Sequence, residues 1–151
     1  MIAATLLGPA AVGAQMGMGR GMGPGGGMGM MGGSPIRRAF VMHNGIEPKY
    51  STASNPLPRS TANLQRGRTL FEQNCAACHG AQGRGDGPAG KSLNPPPASL
   101  IGLGRMGMAT DGYLDWTISE GGVPIQTAMP PFKGALKQDD IWALILFLRT
   151  L

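Results

Sequence analysis

The chain has 151 residues, a formal net charge of +5, 26 glycines and an aromatic content of only 5%. These figures fit one small domain together with a good deal of sequence that does not fold by itself. The thirteen Lys and Arg are scattered, and no basic run is longer than Arg37-Arg38, which argues against a nucleic-acid-binding surface.

The first fourteen residues are almost entirely apolar and end in Val12-Gly13-Ala14, a small-x-small pattern typical of signal peptidase sites. The basic residues that usually precede such a stretch are missing. An apolar run this short cannot cross about 30 Å of hydrocarbon as a helix. We therefore interpret residues 1–14 as a signal peptide cleaved near Ala14, which predicts a periplasmic or otherwise extracytoplasmic protein.

Residues 15–33 alternate methionine with glycine. Such a segment cannot bury enough surface to offset its backbone entropy, so we predict that it is disordered. Thioethers are soft ligands that suit Cu(I), which makes a copper-binding tail one interpretation. A flexible spacer is the favoured interpretation, because the segment contains no His or Cys to strengthen the ligand set.

Residues 34–60 differ in composition and include the proline-punctuated stretch Asn55-Pro56-Leu57-Pro58. Residues before proline favour extended backbone, so we predict an arm that lies extended across the surface of the domain. His43, in this arm, is predicted to be a surface residue and not a metal ligand.

From about residue 61 the apolar positions recur at helical spacing. One face of the predicted helix carries Leu64, Gly67, Phe71, Cys75 and Cys78. Glycine costs a helix about 1 kcal/mol relative to alanine, so Gly67 predicts the close approach of another backbone.

The stretch Cys75-Ala76-Ala77-Cys78-His79 has the spacing at which two thiols and an imidazole reach one haem. The thiols add to the haem vinyl groups, and His79 becomes the proximal iron ligand. A closed zinc site needs about four Cys or His ligands, whereas the chain offers only His43 beyond the motif. A thioredoxin-like pair needs a βαβ setting, which the flanking sequence does not predict. The motif therefore predicts a single haem c attached at Cys75 and Cys78.

Two more helices are predicted. One begins after Thr110 as N-cap and ends at Gly121-Gly122. The other carries an apolar stripe over residues 141–148, with Asp139 and Asp140 in its first turn, where they suit the helix dipole. Trp116 is predicted to pack in the core, and Trp142 against the core or the haem edge.

Over residues 64–151 the sequence resembles the monohaem class I cytochrome c family of exported bacterial proteins. In that family an N-terminal helix crosses a C-terminal helix through a glycine and an aromatic residue, and matching positions hold Gly67, Phe71, Leu144 and Phe147. The resemblance implies an all-α fold, with three to four helices around one covalently attached haem over residues 61–151. The family does not require the long, irregular N-terminal arm.

The family carries its distal methionine on a loop before the last helix, usually followed by proline, and Met129-Pro130 matches that motif. The resemblance therefore implies iron ligation by His79 and Met129, although Met106 and Met108 are alternative methionines near the haem. The family also orients the proximal imidazole with a proline carbonyl, for which Pro88 and Pro97 are both candidates.

With His79 and Met129 both bound, the iron has no open site, which predicts electron transfer and not catalysis. The chain would be a one-electron carrier or an electron-transfer subunit of a respiratory chain, and the arm leaves association with a membrane-bound complex open. The positive charge predicts a redox partner with an acidic docking surface, and Lys91, Lys133 and Lys137 are candidate rim residues.

Two alternative functions remain. In the first, Met129 is displaceable and the protein is a haem enzyme or gas sensor. In the second, residues 15–33 bind Cu(I) and the protein handles copper.

Overall fold

The computed structural model describes residues 34–151, which are helical with no strand in that range. The helices are α1 (Pro35–Asn44), α2 (Pro48–Ser51), α3 (Thr61–Asn74), α4 (Ala76–His79), α5 (Asp111–Glu120) and α6 (Gln138–Leu148). The predicted all-α fold is confirmed, with α3 to α6 in the predicted domain. The predicted signal peptide, residues 1–14, and the methionine-rich segment, residues 15–33, lie outside the described residues.

Helices α3 and α6 cross at Gly67, which is buried against the backbone of Ala143. One turn further along α3, Phe71 is fully buried, and its ring centroid lies 5.4 Å from that of Phe147 on α6. The close approach predicted from Gly67 is therefore present, and it is made between the helices that the family resemblance pairs.

Helix α5 begins and ends where the sequence predicts. The Thr110 hydroxyl accepts a hydrogen bond from the Tyr113 N–H at 3.1 Å, and Gly121 follows the last helical residue. Trp116 and Trp142 are both buried, so each packs in the protein interior as predicted. The core joins side chains of α3, α5 and α6 with Leu103 and Ala109 from the connecting segment. Within residues 34–151, no helix combines the length and apolar character that a membrane span requires.

The prediction of an extended arm is wrong for α1 and α2. The Ser34 hydroxyl caps α1 by accepting from the Arg37 N–H at 3.3 Å, and Pro35 stands at the first helical position. Proline there favours a helix, because its φ is already helical and its missing N–H would have had no partner. The prolines of this segment therefore mark helix starts as well as extended backbone.

The arm does lie on the domain, as predicted. The buried Tyr50 hydroxyl of α2 donates to Glu120 Oε1 at 2.7 Å, at the end of α5. Further along, Asn55 Nδ2 donates to the Trp142 carbonyl at 2.8 Å. These bonds attach the arm to both α5 and α6.

The start of α5 is also tied to the C-terminal end of the chain. Asp111 accepts hydrogen bonds from Arg149 Nη2 at 2.6 Å and from the Asn55 N–H at 3.0 Å. Burial by itself raises the pKa of Asp111, but these hydrogen bonds and the Arg149 charge outweigh burial, and the net pKa is lowered. The ionised carboxylate therefore stabilises the folded state.

Asp111→Asn is expected to lower the free energy of unfolding by about 1–2 kcal/mol at neutral pH. Because the folded pKa is depressed, this stabilisation is present above the unfolded pKa and is lost as pH falls through the folded pKa. The difference between wild type and variant should therefore shrink in acid, as measured by denaturant unfolding over a series of pH values. Glu72→Gln, which removes an exposed carboxylate, is the control. An equal loss in that control, or a difference that persists in acid, would contradict the prediction.

Candidate functional site

Both cysteines and His79 lie in one helical turn. Helix α3 ends at Asn74, Cys75 follows with its N–H bonded to the Phe71 carbonyl at 2.9 Å, and α4 then carries the rest of the motif. The His79 N–H donates to the Cys75 carbonyl at 2.9 Å, which closes the turn. Both cysteines are free and only partly buried.

The His79 ring is held by the backbone of a distant segment. Its Nδ1 lies 2.9 Å from the Ala98 carbonyl oxygen, and since a carbonyl only accepts, Nδ1 carries the proton. Nε2 is therefore the nitrogen that remains for a metal. Burial lowers the pKa of His79 despite the opposing effect of the Ala98 carbonyl, which favours the neutral imidazole that metal binding requires.

Neither Pro88 nor Pro97 supplies that carbonyl, so both candidates from the sequence were wrong. The Pro97 carbonyl points towards Gly85, where a Cβ would lie 2.5 Å from it. The next carbonyl along the chain, that of Ala98, is the one that faces the ring. Pro88 lies in a separate 3-10 turn, Pro88–Gly90.

The glycine-rich loop after His79 folds back onto the motif, a role that was not predicted from the sequence. The Gly85 N–H donates to the His79 carbonyl at 2.7 Å, and the Gly87 N–H donates to the Cys78 carbonyl at 3.1 Å. A Cβ at Gly87 would overlap the backbone of Ala77 and Cys78. The density of glycines was the available signal, since close backbone contact excludes larger residues.

The thiols suit covalent attachment better than a zinc site. Burial, with a smaller contribution from Cys78, raises the pKa of the Cys75 thiol to about 12. A closed zinc site also needs about four ligands. In the part of the chain that the structure describes, no three or more His, Cys, Asp or Glu residues are grouped to hold a metal ion. The donor set, two adjacent thiols and one neutral imidazole, fits a covalently held haem.

Met129 lies on a loop that is fixed to the end of α5. Its carbonyl accepts from the Gly122 N–H at 2.7 Å, and the Phe132 N–H donates to the Ile118 carbonyl at 3.1 Å. Met106, Met108 and Met129 are all partly buried, and Met106 packs against the hydrophobic core. Ligation of iron by Met129 stays a prediction.

Arg37 of the arm also reaches this loop. It is 4% exposed, and its Nη2 donates to the Gly121 carbonyl at 2.7 Å and lies 3.9 Å from Met129 Sδ. The position of Arg37 at this loop was not predicted from the sequence, because residues 34–60 were expected to be extended. His43, on the same helix, is exposed as predicted.

Comparison with known proteins finds a family model and solved structures to which this chain is similar. The family model described as cytochrome c oxidase, cbb3-type, subunit III, matches residues 62–148. A solved chain of the Kuenenia stuttgartiensis reducing HAO-like protein complex is similar in structure, with a TM-score of 0.51 and 26% sequence identity. That likeness covers 62% of this chain and 45% of the solved chain, so this chain spans less than half the length of the solved chain. A comparison with curated proteins gave no match.

Proposed function

The chain belongs to the family described as cytochrome c oxidase, cbb3-type, subunit III, and on that basis we propose that it transfers single electrons through a haem ligated by His79 and Met129. Family membership itself establishes a c-type cytochrome domain with covalently bound haem c and a role in haem-based electron transfer. The proposal adds the two axial ligands and a place in a respiratory chain, as a carrier or as an electron-transfer subunit.

The contact between His79 Nδ1 and the Ala98 carbonyl is the observation that carries the proposal. It fixes the tautomer and orientation of the ring, so that Nε2 is presented to iron. When bound, the haem supplies one-electron Fe(III)/Fe(II) chemistry. The Met129 thioether favours Fe(II) more than a second imidazole would, and it raises the reduction potential. With His79 and Met129 both holding the iron, no position would remain on it for a substrate.

Charge suggests the kind of partner. Lys91 and Lys137 are exposed, and a protein of net charge +5 favours an acidic docking surface on a redox partner. Lys133 bonds Glu120 Oε2 at 2.7 Å, so that lysine is partly neutralised. The Kuenenia stuttgartiensis relative is part of a protein complex, which supports association of this chain with another redox protein. In the bacterial cytochromes that this chain resembles, haem is attached to the Cys-x-x-Cys-His motif outside the cytoplasm. This supports an extracytoplasmic location for the chain.

Carbon monoxide tests the proposal. The reduced, haem-loaded protein is expected to bind CO slowly and incompletely at neutral pH, because Met129 occupies the distal position. Stopped-flow mixing followed by the Soret absorption measures the rate and the extent. Rapid and complete binding would contradict the carrier proposal and favour a haem enzyme or gas sensor with a displaceable Met129.

A further inference from the structure

Glu120 lies between the N-terminal arm and the loop that carries Met129. The residue is buried at the end of α5. Its Oε1 accepts from the Tyr50 hydroxyl of α2 at 2.7 Å, and its Oε2 accepts from Lys133 Nζ, also at 2.7 Å. One carboxylate therefore bonds both a residue of the arm and a residue four positions after Met129.

The segment from Met129 to Lys133 follows the end of α5 closely. The N–H groups of Phe132 and Lys133 donate to α5 carbonyls at 3.1 and 3.2 Å. A Cβ at Gly121 would overlap the carbonyl of the first of the two prolines that follow Met129, so the loop backbone lies directly on that glycine. Each proline ring fixes φ, which leaves the segment little freedom to absorb a movement of Lys133. Such a movement is therefore transmitted to Met129.

The arm is packed firmly on its own side of the carboxylate. Tyr50 is 6% exposed, and a Cβ at Gly112 would overlap the Tyr50 carbonyl, so α2 lies directly on α5. Lys49 Nζ also lies 3.9 Å from Glu120 Oε1, but this lysine is exposed and solvent screens its charge. The family match begins at residue 62, so this contact comes from a part of the chain that the match does not include.

The carboxylate is ionised in the folded protein. The bond from Lys133 lowers the pKa of Glu120, burial opposes that effect, and the Tyr50 hydroxyl lowers the pKa further, so the net pKa lies below its ordinary value. A buried carboxylate needs hydrogen-bond donors at both oxygens. Loss of the Tyr50 hydroxyl would leave Oε1 without its donor. The side chain would then rearrange and hold Lys133 less firmly.

We propose that Tyr50 and Glu120 are positioning residues through which the arm restrains the Met129 loop and opposes displacement of Met129 by an external ligand of the iron. The restraint on the loop requires only the contacts described, whereas its effect on displacement rests on the proposed His79/Met129 ligation. Displacement exchanges one neutral donor for another on Fe(III): a nitrogen of the incoming ligand binds as the thioether sulfur leaves, and no electron is transferred. The loop moves in this exchange, so contacts that hold it in place weaken binding of the incoming ligand.

Binding of imidazole to the oxidised, haem-loaded full chain tests the proposal. Tyr50→Phe removes the hydroxyl and keeps the ring. Thr52→Val is the matched control, because it removes an exposed hydroxyl of the arm that bonds only the Pro48 carbonyl, at 3.1 Å. We expect Tyr50→Phe to raise the affinity for imidazole about threefold or more, as loss of a bond to a charged group implies, and Thr52→Val to stay within about twofold of wild type. Hydrogen exchange of the amides in residues 126–133, followed by mass spectrometry, should be faster in Tyr50→Phe and unchanged in the control.

Lys133→Met tests whether the arm acts through Glu120. This substitution removes the bond between Glu120 and the loop while keeping an unbranched side chain. Adding Tyr50→Phe to Lys133→Met should then change the affinity for imidazole less than Tyr50→Phe alone changes it, because the path between the arm and the loop is already broken. An equal effect of Tyr50→Phe in both backgrounds would overturn the role of Glu120.

The absorption spectrum of the oxidised wild type separates failure of this proposal from failure of the proposed ligation. If wild type shows the Met–Fe(III) charge-transfer band and Tyr50→Phe matches Thr52→Val in imidazole affinity and hydrogen exchange, the arm does not restrain the loop. If wild type lacks the band, ligation by Met129 is wrong, and the effect on displacement falls with it. In that case hydrogen exchange unchanged by Tyr50→Phe would also overturn the restraint, whereas faster exchange would support it.

Discussion

Met129→Ala is expected to lower the reduction potential by roughly 0.1 V or more, within the range of about 0.8 V over which axial ligands set haem potentials. The substitution removes the thioether that favours Fe(II), so the Met–Fe(III) charge-transfer band should disappear and CO should bind the reduced protein rapidly. The loop itself should persist, because the bond from the Gly122 N–H is made to the Met129 backbone carbonyl, which alanine retains. Potentiometric titration and absorption spectroscopy measure both effects.

Met108→Ala is the matched control for this substitution. Met108 is partly buried like Met129, and it is one of the methionines that the sequence offers as an alternative. The control should keep the charge-transfer band and a potential close to that of wild type. Loss of the band in Met108→Ala, with its retention in Met129→Ala, would transfer the distal role to Met108.

Local signals explain what could be predicted from the sequence. The Thr110 hydroxyl accepts from the Tyr113 N–H, only three residues away, and Gly121 follows the last residue of the same helix. Both ends of α5 are therefore determined by residues next to them in the sequence. The spacing of Cys75, Cys78 and His79 is equally local, since one turn of backbone brings them together. Gly67 predicted the close approach of another backbone, whereas the identity of the partner, α6, was implied by the resemblance to the class I cytochrome c family.

Contacts between distant segments explain what was missed. The carbonyl that orients His79 lies 19 residues away, and which carbonyl faces the ring depends on the path of an irregular segment. Arg37 and Gly121 are separated by 84 residues, and nothing in the sequence around Arg37 indicates burial of a charge. Helix α1 is different, because Ser34-Pro35 is a recognisable helix start that the prediction of an extended arm did not use.

Gly67→Ala is expected to lower the free energy of unfolding by about 2 kcal/mol or more, although alanine is the better helix former by about 1 kcal/mol. The added Cβ would overlap the Ala143 carbonyl oxygen and lie 2.9 Å from Phe147 Cβ, so α3 and α6 would have to separate. Separation would loosen the packing of Phe71 against Phe147, one turn before the haem-binding cysteines. Denaturant unfolding of the haem-loaded protein, followed by far-UV circular dichroism, measures the loss.

Gly134→Ala is the control, because a Cβ built at that position meets nothing within 4 Å. It should be neutral or slightly stabilising, since alanine restricts the unfolded chain more than glycine does.

A second control tests which atom of Ala143 a Cβ at Gly67 would overlap. That atom is the backbone oxygen of Ala143 and not its side chain. Adding Ala143→Gly to Gly67→Ala should therefore fail to restore stability. Rescue by that double substitution, or equal stability of the Gly67→Ala and Gly134→Ala variants, would show that the helices do not meet backbone to backbone at this crossing.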